Sequence, residues 1–159
     1  MARTGEAPPA IRLEHPGVRM VAVVAGFHRE VAERLLGGAR ERLIESGLTA
    51  DHFEDHWVPG AFELPLAART MALTRRYAAV IALGCVIRGE TAHFDHICQA
   101  AATGLTAVAI QTGVPCTFGV LTCETMDQAV ARSGGGKGNA GADAADAAVA
   151  MANLVAEGR

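Results

Sequence analysis

Within residues 84–99, GCVIRGETAHFDHICQ, an apolar run over 77–87 gives way at Arg88, Gly89, Glu90 and Thr91 to His93, Phe94, Asp95 and His96, and a second apolar stretch follows. A strand that passes through Gly into a helix leaves the first-turn N–H groups free. Together with the positive end of the helix dipole they suit an anion such as phosphate. The Thr91 hydroxyl can cap that helix or donate to the anion, although the same residues also fit an ordinary strand-to-helix turn. His93 lies two residues on, and an imidazole that titrates near neutrality is the natural proton carrier for such a site. His96 is one turn further, so the two could share a metal, but spacing supplies no third ligand, and His52 and His56 fall on a strand-like segment. His96 reads better as a packed or surface residue, and Arg88 as the partner of a local carboxylate.

A second group of candidates lies in VPGAFELP, residues 58–65, where a stiff Pro-Gly turn precedes Ala61, Phe62 and Glu63. Glu63 suits either a partner for a helix dipole or an acceptor for polyol hydroxyls. Phe27, after the first apolar run, suits either the core or a platform for a flat ring. The GGGKG segment lacks the spacing and preceding strand of a phosphate loop and reads as a hinge.

The elements that must position these residues follow from the pattern of apolar runs. Residues 18–26 and 77–87 are continuous β-branched and apolar stretches, as strands buried on both faces should be, with 114–122 a third and 52–60 a shorter, more polar one. Between them lie helical segments: a stripe of Val31, Ala32, Leu35, Leu36, Ala39 and Leu43 closed by Gly47, then 64–76, 93–111, and a short helix opened by Thr125 and Gln128 as a capping box and running to Arg132. Residues 133–139 read as a flexible connector and 140–158 as a last, Ala-rich helix whose packing face suits close approach to another subunit. Alternating strands and helices predict a flavodoxin-like α/β three-layer sandwich, a four-stranded parallel sheet flanked by helices on both faces. Residues 1–17 form an irregular arm able to reach a neighbour, and 18–159 a single domain. In such a sheet the ligand sits outside the carboxyl ends of the strands, so the segments after 26, 58 and 85 should converge.

Composition narrows the function class. Half of the 159 residues are apolar but only 4% are aromatic, and 14 basic against 17 acidic side chains leave a net charge of −3 with no basic run, which argues against nucleic acid as a partner. No stretch approaches a membrane span and the first residues lack the apolar core of a signal peptide, so a cytoplasmic protein is expected. Cys85, Cys98, Cys116 and Cys123 have no CxxC spacing and sit in or beside apolar segments, as reduced thiols packed as small hydrophobes do.

Taken together, the segments Gly26-Phe27-His28, VPGAFELP, ALGCVIRGETAHFDH, PCTFGVLT, DQAVAR and GKGN…MANL resemble the lumazine synthase family over nearly the whole chain after residue 17. The resemblance implies condensation of 5-amino-6-(D-ribitylamino)uracil with 3,4-dihydroxy-2-butanone 4-phosphate, without metal or other cofactor. It implies that Phe27 stacks on the pyrimidine, that Ala61, Phe62 and Glu63 hold the ribityl chain, and that backbone groups of Cys85, Val86 and Ile87 bind the ring edge and polyol. Gly89, Glu90 and Thr91 would hold the phosphate and His93 would move protons, with Phe118 and Arg132 supplied by a neighbouring subunit. It further implies homo-oligomers, pentamers and in some members sixty-chain shells, with riboflavin synthase as a possible partner. One departure stands out: the family usually reads Asn-Lys-Gly before the last helix, whereas here Asn139, Ala140 and Gly141 stand there and Lys137 lies three residues earlier. A flavin-binding module and a structural shell protein of the same fold are the rival readings.

Overall fold

Runs of Val, Ile and Ala without polar alternation need cover on both faces, and the computed structural model, which describes residues 6–158, provides it. Residues 1–5 of the expected arm, and Arg159, lie outside the described residues. Strand β1 (Met20–Ala25) is buried along its whole length, and β3 (Ala79–Ile87) is buried through Cys85. With β2 (Phe53–Val58) and β4 (Cys116–Cys123) they form one parallel sheet in the order β2-β1-β3-β4. Met20 pairs with Phe53 on one side and Ala79 on the other, and β3 runs against β4 from Val80 opposite Cys116 to Ile87 opposite Cys123.

Strand alternation divides the core in two. Met20, Ala22, Val24, Ile81 and Leu83 point to the layer built by α1 (Arg29–Glu45) and α5 (Ala140–Glu157). Val21, Val23, Ala25, Val80 and Ala82 point to α2 (Leu64–Leu73) and α3 (His93–Thr112). This is the expected three-layer sandwich. The α1 stripe buries Val31, Ala32, Leu35, Ala39 and Leu43, and the helix ends as its sequence suggests. Gly47 takes a left-handed φ of 107° and donates to the Ile44 carbonyl, while Leu48 reaches back to Leu43. No helix among the described residues is long and apolar enough to cross a membrane.

Three local expectations are corrected. The helix read over 64–76 stops at Leu73, where Arg75 turns to a φ of 59° and its guanidinium donates to the Thr112 carbonyl at the end of α3. The capping box at α4 (Met126–Ala131) is offset: Gln128 N–H donates to Thr125 Oγ1, but the Gln128 side chain accepts from Glu124, one residue before the cap. Residues 133–139 form an antiparallel hairpin, β5 (Ser133–Gly135) and β6 (Gly138–Asn139), because Gly134 and Gly138 supply the positive φ values that a tight reversal needs. The arm is irregular, and residues 12–14 of it are tied to their own chain. Leu13 is buried with its N–H on the Ser46 carbonyl, and the Asn153 amide bonds both Glu14 N–H and the Arg12 carbonyl.

The Ala-rich face of α5 is used within the chain. Gly141, Ala144, Ala145, Ala148 and Ala152 are buried in this layer, and a Cβ on Gly141 would fall onto the Leu35 carbonyl of α1. Asn139 sets this approach: its Oδ1 caps α5 through Gly141 and Ala142 N–H, and its Nδ2 donates to the Arg34 carbonyl. Further along, Arg42 grips Asp146 at 2.8 and 3.0 Å, each side chain almost covered. Gly141→Ala must push the two helices apart and is expected to lower stability by about 1–3 kcal/mol, as overpacking does. A urea midpoint equal to that of the parent would refute the close approach.

Candidate active site

The cleft forms where the strands end, and strand length decides its shape. Pairing between β1 and β3 stops at Val24 opposite Leu83, whereas pairing between β3 and β4 continues to Ile87. Ala25 still lies beside Gly84, so three residues of β3, 85 to 87, outrun β1 and, among the described residues, present an unpaired main-chain edge on that side. Cys85, Val86 and Ile87 of this overhang form one wall of a cleft of about 380 Å³. Phe27 and His28, after β1, form a second wall, and Gly60, Ala61, Phe62 and Glu63, after β2, a third. His93 and Ile97, from the first turns of α3, complete it. The three strand-end segments converge as the fold requires.

Phe27 is 69% exposed and Phe62 62% exposed. Two bare aromatic rings in one cleft of an aromatic-poor chain decide the open question about Phe27: its ring is a surface, not core. It stands edge-on to the His28 ring, centroids 5.3 Å apart and planes at 87°. His28 holds a left-handed backbone, φ 57° and ψ 57°, as the residue that opens α1. Glu63 holds the turn before α2 and also faces the cleft. Its Oε2 accepts the Gly60 N–H at 2.9 Å and fixes the turn, while Oε1 has no hydrogen-bond partner among the described residues and the side chain lines the cleft.

The loop 88–92 joins β3 to α3. Among the described residues the N–H groups of Gly89, Glu90, Thr91 and Ala92 donate to no protein acceptor, and the His93 N–H donates to Thr91 Oγ1 at 3.3 Å. The Thr91 hydroxyl therefore caps locally. A Cβ at Gly89 would meet nothing within 4 Å, so space for a ligand exists beside those donors. His93 and His96 are both exposed, and no three metal-ligating side chains converge among the described residues. Arg88 is bound by Asp95 and Glu124, in that order of influence on its pKa, which they raise above the usual arginine value. It pairs with local carboxylates, as expected.

Five predicted site residues are not among those that line this cleft: Gly89, Glu90 and Thr91, in the loop between Ile87 and His93, and Phe118 and Arg132, which lie apart from it. Phe118, on edge strand β4, is 45% exposed, and Arg132, just after α4, donates to the Gln128 carbonyl and has no carboxylate partner among the described residues. Ala140 N–H donates to the Arg132 carbonyl, and Lys137 N–H to that of Ala131, so all of these belong to the hairpin region. The sequence reading missed His28 and Ile97 as lining residues. Ile97 was accessible through its four-residue spacing from His93, which puts both on one helix face. His28 carried no signal beyond its place after Phe27, because the left-handed turn that aims it is set by the chain around it.

Residues 17–156 match the family model described as 6,7-dimethyl-8-ribityllumazine synthase. The 6,7-dimethyl-8-ribityllumazine synthases of Coxiella burnetii strains CbuG_Q212 and RSA 493 / Nine Mile phase I are 49% identical to this chain over 139 residues, 87% of this chain and 92% of theirs. That of strain Dugway 5J108-111 is 48% identical over the same share of each.

The thiol in the cleft wall is not a nucleophile. Burial, then the neighbouring Cys123, pushes the Cys85 thiol up to about 12, and burial does the same for Cys116. Iodoacetamide at pH 8 is expected to leave both unlabelled in the native protein and to label them after urea. The unfolded thiols ionise first as pH rises past 9.0, so their contribution to stability is complete below that and falls toward pH 12. Rapid native labelling of Cys85 would contradict its burial.

Proposed function

The chain belongs to the 6,7-dimethyl-8-ribityllumazine synthase family, and from that premise we propose that the cleft at the ends of β1, β2 and β3 is where it joins its two substrates. The protein is a transferase that condenses 5-amino-6-(D-ribitylamino)uracil with 3,4-dihydroxy-2-butanone 4-phosphate. The products are 6,7-dimethyl-8-ribityllumazine, phosphate and water, the penultimate step of riboflavin biosynthesis. The observation that carries the site assignment is a single juxtaposition. Bare aromatic rings and the free edge of β3 line one cleft with His93, and the loop 89–92, whose N–H groups donate to no acceptor among the described residues, runs from the end of that strand to that histidine.

In this reading the pyrimidine stacks on Phe27 and its edge bonds to the main chain of Cys85, Val86 and Ile87, which has the donors and acceptors that β1 leaves unpaired. The ribityl chain runs along Ala61, Phe62 and the free oxygen of Glu63. Phosphate rests on the N–H groups of Gly89, Glu90 and Thr91. The 5-amino group of the pyrimidine adds to the ketone, the carbinolamine loses water, phosphate leaves, and the resulting enol, as its ketone, is captured by the exocyclic nitrogen that carries the ribityl chain, with loss of a second water. Each step moves protons between partners already in place, so orientation supplies much of the acceleration. His93 is the proton carrier, adding roughly 10²-fold at the low end of the usual range. His93→Ala is therefore expected to reduce kcat about 10- to 100-fold with little change in pyrimidine affinity, measured by lumazine absorbance in single turnovers. An undiminished rate would remove His93 from the mechanism, and absence of product in the parent would favour a flavin-binding or structural protein.

The site is completed by a neighbouring chain that brings Phe118 and Arg132. Support comes from the exposed ring of Phe118 on an edge strand and from the Arg132 guanidinium, which has no carboxylate partner among the described residues. A pentamer is the assembly that this sharing implies, and the short segment 133–139 leaves a sixty-chain shell sterically open, with riboflavin synthase as a candidate companion. Five chains of 16.5 kDa give about 83 kDa and sixty about 990 kDa. Light scattering separates these, and Arg132→Ala is expected to raise KM for the butanone phosphate while leaving the assembly intact. A fully active 16.5 kDa monomer would refute the shared site.

A further inference from the structure

Arg88 is the residue at which the phosphate-side loop begins, and its side chain doubles back across that loop. Its Nη2 and Nη1 meet the two oxygens of Asp95 at 3.1 and 3.3 Å, and its Nε meets those of Glu124 at 2.8 and 3.1 Å. The guanidinium lies over the Phe94 ring, 4.4 Å from its centroid, and the Arg88 N–H donates to the Cys123 carbonyl at 2.9 Å. One residue thus ties the end of β3 to the end of β4 and to the first turn of α3.

We propose that Arg88 is a positioning residue for the condensation: its guanidinium closes a ring through Asp95 that fixes the intervening loop, keeping the Gly89, Glu90 and Thr91 N–H groups aimed at one anionic group beside His93. This rests on the reading of that loop as the phosphate site.

Three observations support the role. Arg88 is not itself suited to hold the anion, because two carboxylates share its one positive charge and leave the cluster net negative. Stability does not account for the cluster either. The side chains of Arg88, Asp95 and Glu124 are 38%, 60% and 59% exposed, and ion pairs at such exposure contribute little to folding. A planar fork gripped on two edges and stacked on a buried ring does fix direction. Finally, the loop has little else to hold it. The Gly89 position touches nothing within 4 Å, and apart from Thr91 with His93 and the Ala92 carbonyl within the helix start, residues 89–92 make no hydrogen bonds among the described residues. Without the clamp, the order of this loop would have to be supplied when the phosphate binds.

The test uses the assembled protein, with Arg88→Lys, Asp95→Asn and the double variant. Lysine keeps the charge and loses the fork, and asparagine keeps the shape and loses the charge. Each single variant is expected to raise KM for the butanone phosphate about tenfold, with KM for the pyrimidine within about twofold and the melting temperature unchanged. The double variant should be no worse than the weaker single, because both break one contact, and Asp95→Glu should restore most of the affinity. Hydrogen–deuterium exchange of the peptide spanning 84–98, titrated with inorganic phosphate, separates the two layers of the argument. Protection by phosphate in the parent, with affinity lowered about tenfold in Arg88→Lys, is the expected result. Protection in the parent with equal affinity in Arg88→Lys would overturn the clamp and leave the phosphate site standing. No protection in the parent would overturn both, and equal losses for both substrates with a lower melting temperature would reduce Arg88 to a structural role.

Discussion

Everything at this site depends on where the main-chain pairing of β3 stops. A buried strand must satisfy its N–H and C=O groups, since an unpaired one costs about 1–3 kcal/mol when kept from water. Up to Leu83 β3 meets that requirement on both sides, with β1 and β4 as partners. Beyond Gly84, which still lies beside Ala25, only β4 remains, and the strand keeps an edge that must be met by solvent or by a ligand. The cleft is the space that the shorter β1 leaves behind. Its polar groups there are thus main-chain groups, so apolar residues such as Val86 and Ile87 can wall a cleft that still offers hydrogen bonds.

The layer of α1 and α5 packs behind β3. Small residues at Gly141, Ala144, Ala145 and Ala148 let α5 settle close to α1, and Asn139 bonds the start of α5 to the Arg34 carbonyl. The hairpin of β5 and β6 hangs from the same residue, so Arg132 and the final helix are placed together. The pairing of an Asn cap with a glycine two residues later is a packing device as much as a capping one. An aliphatic side chain at Gly141 would collide with the α1 backbone, where no rotamer change could relieve it.

The cleft of a single chain is open and unusually bare. Phe27 and Phe62 would each bury a large apolar face on stacking, yet in one chain both stand mostly in water. Exposure of this kind has a cost in solubility that a ligand or a neighbouring chain removes. The electrostatic layout is compatible with that. The N–H groups of the 89–92 loop, unbonded among the described residues, follow a guanidinium already paired with two carboxylates, so the positive field there is mainly that of oriented dipoles.

The sequence by itself determined the sheet, the helices on both faces and the segments that converge, because continuous apolar runs such as 77–87 have few other solutions and strand ends are where such sheets bind. It determined His93 and the Gly89-Glu90-Thr91 turn as candidates through their place after the central strand, and the order of motifs carried the family. It did not reveal that 133–139 is a hairpin, that α5 spends its alanines inside the chain, or that the helix after Glu63 ends at Leu73. Glycine-rich and alanine-rich segments have weak local preferences, so tertiary contacts choose for them. Which face Phe27 shows, how His28 turns beside it, and which carboxylates hold Arg88 were likewise decided only in three dimensions. Those outcomes depend on residues 36 positions apart, as in Arg88 with Glu124, and no local pattern encodes such a distance.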